Sequence, residues 1–114
     1  MSQDWRRKLV VRLKRWAEDR FPVAYPIRVY LRPHRKMHNN LGYFEYDDDV
    51  DRGLIALCET LDRSALIETF LEDWAHARTS HLVDTEDNDE DPHHHPSFWS
   101  EYGRLVKAAR EIAW

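Results

Sequence analysis

A chain of 114 residues with a net charge of −4 is long enough for one hydrophobic core and too short for two domains. Hydrophobic residues make up 42% and charged residues 33%, and only three glycines and five prolines exclude a low-complexity or disordered chain. No run approaches the roughly 18–20 consecutive apolar residues of a membrane span, and Met1 to Lys8 lacks the apolar stretch of a signal peptide.

Trp5, Leu9, Leu13, Trp16 and Ala17 recur at helical spacing and predict a helix over 3–20, with Ser2 or Asp4 as its cap. Pro22 ends that helix. Ile27, Val29 and Leu31 alternate with Arg28, Tyr30 and Arg32, the period of a half-buried strand that Pro33 closes. His38, Asn39 and Asn40 read as a turn, Leu41 to Tyr46 as a second strand, Asp47 to Asp51 as an acidic turn, and Gly53 to Cys58 as a third strand. Asp62 or Ser64 can cap the next helix, which reaches about Ser80 on the apolar face Ile67, Phe70, Leu71, Trp74, Ala75 and Ala77. An acidic loop over 84–91 and the run His93, His94, His95 precede a last helix from about Ser97 to the end. The order helix, three strands, helix, loop, helix predicts an α+β domain with a small antiparallel or mixed sheet.

Charge is unevenly spread. Residues 1–36 carry eleven Lys/Arg against three acids, whereas residues 37–91 carry three against sixteen. An amphipathic helix with a solvated basic side explains the first stretch, and a DNA contact through Arg6, Arg7, Arg12, Lys14 and Arg15 is the sharper reading. Against it, the tryptophans of that helix follow the buried spacing and leave no stacking platform. The lone Cys58 lies in an apolar run, has no evident catalytic partner, and points to a reducing, cytoplasmic setting.

Chemistry concentrates in Leu71-Glu72-Asp73-Trp74-Ala75-His76-Ala77 and in His94-His95-Pro96-Ser97-Phe98-Trp99. Glu72 and His76 stand one helical turn apart, so both can reach one metal ion. A histidine opening the next helix supplies a third ligand. The fourth position would hold a water, which zinc acidifies.

This pair of segments resembles the SprT-like zinc metallopeptidases, whose helix carries L-x-H-E-x-x-H-A and whose later H-G-P-x-F-W-like motif gives the third zinc ligand. Trp74-Ala75-His76-Ala77 and His94-x-Pro96-x-Phe98-Trp99 fall in those frames. ImmA-like zincins share the helical motif, but the second segment fits the SprT-like pattern better. The resemblance implies a single zincin-like domain over 1–114: N-terminal helix, three-stranded sheet, metal-site helix and C-terminal helix. It also implies zinc as cofactor on Glu72, His76 and His94, the last chosen over His93 and His95 by the Pro96 register. Asp73 stands where the family has its catalytic glutamate, and Glu72 where it has its first histidine.

Two readings follow. Two imidazoles and a carboxylate form an acceptable zinc set, with Asp73 a base one methylene short of its task. Alternatively the site has lost its metal, and the fold persists to bind a protein, peptide or DNA partner. Simpler roles stand beside these: Trp74, Phe98 and Trp99 as core, Tyr102 as core rather than an oxyanion donor, and the acidic runs as solvated loops without the glycine and terminal glutamate of an EF-hand.

Overall fold

The computed structural model describes residues 4–82, 94 and 96–114. The acidic loop 84–91, the histidines His93 and His95, and the cap candidate Ser2 lie outside them.

Helix α1 (Asp4–Arg20) is followed by strand β1 (Ile27–Arg32), β2 (Gly42–Asp47) and β3 (Arg52–Cys58), then helix α2 (Arg63–Thr79) and helix α3 (Pro96–Ala109). The fold is therefore α+β, with three helices and a three-stranded mixed sheet. Asp62 is the cap of α2: its side chain accepts a hydrogen bond from the Ala65 amide at 2.8 Å.

The strand order is β1-β3-β2, with β3 parallel to β1 and antiparallel to β2. β2 and β3 form a hairpin, while the 33–41 connection passes the end of β3 to reach the far edge. Two backbone bonds hold that crossing, from Cys58 to the Leu41 carbonyl and from Glu59 to the Arg32 carbonyl. Met37, fully buried, anchors the connection, and His38 and Asn39 turn it with φ of 53° and 65°.

Alternation along the strands puts Ile27, Val29, Leu31, Phe44, Ile55 and Leu57 on the same side as Gly42, the side that faces α2. α2 is the central element, packed against β2, β3, α1 and α3. Leu66, Phe70, Leu71, Trp74, Ala75 and Ala77 are all buried on it, and Trp74 donates its indole N–H to the Phe21 carbonyl. A helix covered on nearly every side buries polar residues as well, here Thr69, Asp73 and Thr79.

Three expectations need correction. Trp5 is 40% exposed, with the Arg6 guanidinium 4.4 Å from its ring centre, so only Leu9, Leu13 and Ala17 of the expected stripe are fully buried. Trp99 is 56% exposed rather than core, whereas Trp74 and Phe98 are buried as expected. The last helix stops at Ala109, short of the chain's end. Beyond it Trp114 folds back edge-on against Trp16, and Arg12 of α1 donates to the carbonyls of Ala113 and Trp114. Those tertiary contacts replace the last helical turn.

α3 is tied to α2 through Glu101. Its carboxylate accepts from Arg78 of α2 and from Arg104, and Arg78 also donates to the Pro22 carbonyl. Among the described residues no helix is long and apolar enough to cross a membrane.

Candidate metal centre

Glu72 and His76 project from the same side of α2, one turn apart, as the spacing predicts. The chain leading into α3 brings His94 to them. One ligand atom from each of Glu72, His76 and His94 falls within 4.8 Å of the other two. His94 Nε2 and Glu72 Oε1 are 3.4 Å apart. That is longer than an ordinary N–H···O bond of about 2.7–3.2 Å. It matches the edge of a tetrahedron built on metal–ligand bonds of about 2.0–2.1 Å, which is roughly 3.3–3.4 Å. Two imidazoles and a carboxylate are a donor set that zinc accepts, and this one separation is compatible with it.

An aromatic floor lies against the two imidazoles. Phe98, fully buried on the first turn of α3, stacks on His76 with ring centres 4.3 Å apart. The same ring meets His94 edge-on at 4.9 Å, and Trp99 packs beside His94 at 5.5 Å. Phe98 was legible in the sequence as core, but its contact with both histidines was not. Nothing in its spacing distinguishes a packed phenylalanine from a supporting one.

The three candidate ligands open onto a pocket of about 460 Å³. β2 and the residue before it form one wall, with Leu41, Gly42, Tyr43 and Phe44; Thr69, Asp73 and Thr79 contribute from α2. Gly42 permits this arrangement through close approach. A Cβ there would lie 2.5 Å from Thr69 Cγ2 and 2.6 Å from Asp73 Oδ2.

Asp73 lines the pocket but is not one of the three mutually close ligands. It is 5% exposed, and its Oδ2 has no hydrogen-bond partner among the described residues. Burial, reinforced by the neighbouring Glu72 charge, pushes its pKa from 3.8 up to about 8. Adjacent helical residues point about 100° apart, so Glu72 turns to the opening while Asp73 turns toward β2.

The remaining candidates separate from the site. Tyr102 is half-buried and lines a different cleft, between α2 and α3, with Ile67, Leu71, Val106 and Trp114. Burial raises its pKa, and the Glu72 and Glu68 charges add to the effect. Cys58 is buried, yet it has an imidazole neighbour that the sequence did not reveal: its Sγ lies 3.6 Å from His34 Nδ1 and 3.1 Å from Thr60 Oγ1. At 1% exposure that thiol is sealed from any substrate. Of the basic residues on α1, Arg6 is spent on the Leu61 carbonyl and Arg12 on the C-terminal carbonyls, while Arg7 and Arg15 are exposed. Asp47, Asp48 and Asp49 also cluster, exposed, in the β2–β3 turn, where the Asp47 side chain accepts from the Asp49 amide.

No family model, no curated protein and no solved structure matches this chain.

Proposed function

We propose that this chain is a SprT-like, zincin-type domain that holds one zinc ion on Glu72, His76 and His94 and uses the adjoining pocket to bind a peptide segment, with peptide hydrolysis strongly impaired. The convergence of the three ligand atoms within 4.8 Å, across two helices, carries this reading. Glu72 and His76 alone would follow from helical spacing, but His94 comes from a separate element.

A bound zinc would supply a Lewis acid and an acidified water at the mouth of the pocket. The chain's own residues would do the rest. Phe98 keeps the two imidazoles in place. β2 lies at the edge of the sheet as described, so its outer backbone can pair with an extended peptide while the pocket takes a side chain. Impaired hydrolysis follows from Asp73. A general base must be ionised and within about 3 Å of the proton it removes. Asp73 is one methylene shorter than glutamate and is packed against Thr69 and Gly42, away from the three ligand atoms.

A second reading, an atypical zinc-dependent hydrolase, is favoured by one observation: Asp73 lines the same pocket as the three ligands. Metal content of the untagged chain tests the first step, beside Glu72→Ala and His76→Ala. About one zinc per chain, lost in both variants, is the expected result. A folded, metal-free wild type after zinc loading overturns the metal site. Turnover of a peptide library by the zinc-loaded chain, abolished in Asp73→Asn, would replace the binding role with the hydrolase.

A further inference from the structure

The pocket contains a carboxyl group that the metal site does not use. Among its described lining residues there are two carboxylates, Glu72 and Asp73, and neither lysine nor arginine. Glu72 belongs with the histidines as a ligand. Asp73 is left over: it is only 5% exposed, and Oδ2 has no protein donor among the described residues. A buried carboxylate oxygen without a donor is costly, and native structures retain one chiefly where a ligand or other function uses it.

The surroundings restrict what can serve as donor. Thr69 stands one helical turn before Asp73, and the backbone at Gly42 closes the other side, so Oδ2 is covered by the protein and a donor has to approach the carboxyl group from the pocket. A planar guanidinium needs a wide, two-oxygen approach, whereas an ammonium is compact and carries three donors on a tetrahedral nitrogen. Leu41, which is 59% exposed, and Phe44 make the neighbouring wall apolar, which suits the carbon chain attached to such a group.

From this geometry we infer that the pocket recognises a primary ammonium group, seated on Asp73 beside the metal site, and so selects peptides that present a free amine. The inference rests on the peptide-binding reading of the pocket and not on metal occupancy. An α-amino terminus and a lysine side chain carry the same ammonium, and the probes must tell them apart.

Three short peptides of one apolar sequence serve as probes: one with a free N-terminus and no lysine, its N-acetylated counterpart, and an N-acetylated version containing one lysine. Each is titrated calorimetrically into the full chain, zinc-loaded and metal-free, and into Asp73→Asn. One or both amine-bearing peptides should bind about tenfold or more tighter than the amine-free peptide, the gain typical of a charge-assisted hydrogen bond. The one that gains identifies the source of the ammonium. In Asp73→Asn, which keeps the side chain's shape, the ratio should fall to about one with zinc content unchanged. Equal affinity of all three peptides for the wild-type chain overturns the inference without recourse to any variant. So does a preference that survives in Asp73→Asn, or a loss of zinc in that variant, which would make Asp73 a ligand. A chain that takes up no zinc yet keeps the amine preference would overturn the metal site and leave this inference standing.

Discussion

His76 lies flat against Phe98, ring centres 4.3 Å apart, so a metal-ligand candidate of α2 is braced by a side chain of α3. The same phenylalanine meets His94 edge-on. Phe98→Leu should therefore weaken zinc binding by about 10–100-fold, the usual effect of losing a group that orients ligands. It should also lower stability by about 1–3 kcal/mol, because a buried ring is exchanged for a smaller side chain. Competition with a zinc chelator, beside denaturant unfolding of the metal-free protein, separates the two effects. Unchanged zinc affinity would remove Phe98 from the site.

Gly42 leaves room for both Thr69 and Asp73 of α2. Gly42→Ala places a Cβ 2.5 Å from Thr69 Cγ2 and 2.6 Å from Asp73 Oδ2. The expected cost is about 1–3 kcal/mol, as for other overpacked positions. Thr69→Ser deletes the clashing methyl group, so the cost of Gly42→Ala should be smaller in that background. A double-mutant cycle by urea unfolding checks this coupling, and strict additivity would contradict it.

The stability of the metal-free protein should fall as pH rises between about 4 and 8. Asp73 ionises near 3.8 when unfolded and near 8 when folded, so the folded state binds the extra proton across that interval. A raised folded-state pKa contributes stability that is complete below the lower value and lost as pH climbs through the upper one. The loss is on the order of a few kcal/mol, since a tenfold difference in proton affinity corresponds to about 1.4 kcal/mol and partial relaxation reduces the sum. Asp73→Asn should flatten this slope. Thermal melts at pH 5 and pH 8, on both proteins with chelator present, measure it.

Glu101 joins α2 to α3 by accepting from both Arg78 and Arg104. Glu101→Gln keeps the shape but removes the charge that Arg78, itself largely buried, is paired with. A loss of about 1–3 kcal/mol is expected, together with looser placement of His94 and hence weaker zinc binding. Unfolding and zinc titration of this single variant test both consequences.

The basic side of α1 gives a separate test. With Arg6 and Arg12 engaged in internal contacts, DNA binding would fall to residues such as Arg7 and Arg15. A real DNA site would show affinity falling steeply with salt and a further loss in an Arg7→Glu, Arg15→Glu double variant. The expected outcome is weak binding that the two substitutions barely change.

Short-range rules made much of this protein readable from its sequence. Prolines and periodicity marked α1, the three strands and α2 to within a residue or two, because backbone sterics and apolar spacing act locally. Asp62 could be named as a cap candidate for the same reason. The i, i+4 relation of Glu72 and His76 is a property of any helix, so two of the three candidate ligands were placed together by the chain alone, and the Pro96 register named His94 as the third. What lies across the fold was not legible there. Strand order depends on how the 33–41 connection passes β3, and no local pattern sets that path. Trp5 and Trp99 carry apolar side chains at helical positions, yet α1 and α3 turn them outward because other residues fill the core. Asp73 looks like the neighbour of a metal ligand in sequence, but its burial against Gly42 comes from the approach of β2 to α2. The place of His94 beside Glu72 and His76 is decided the same way: two helices must first pack through Phe98 before their polar residues can meet.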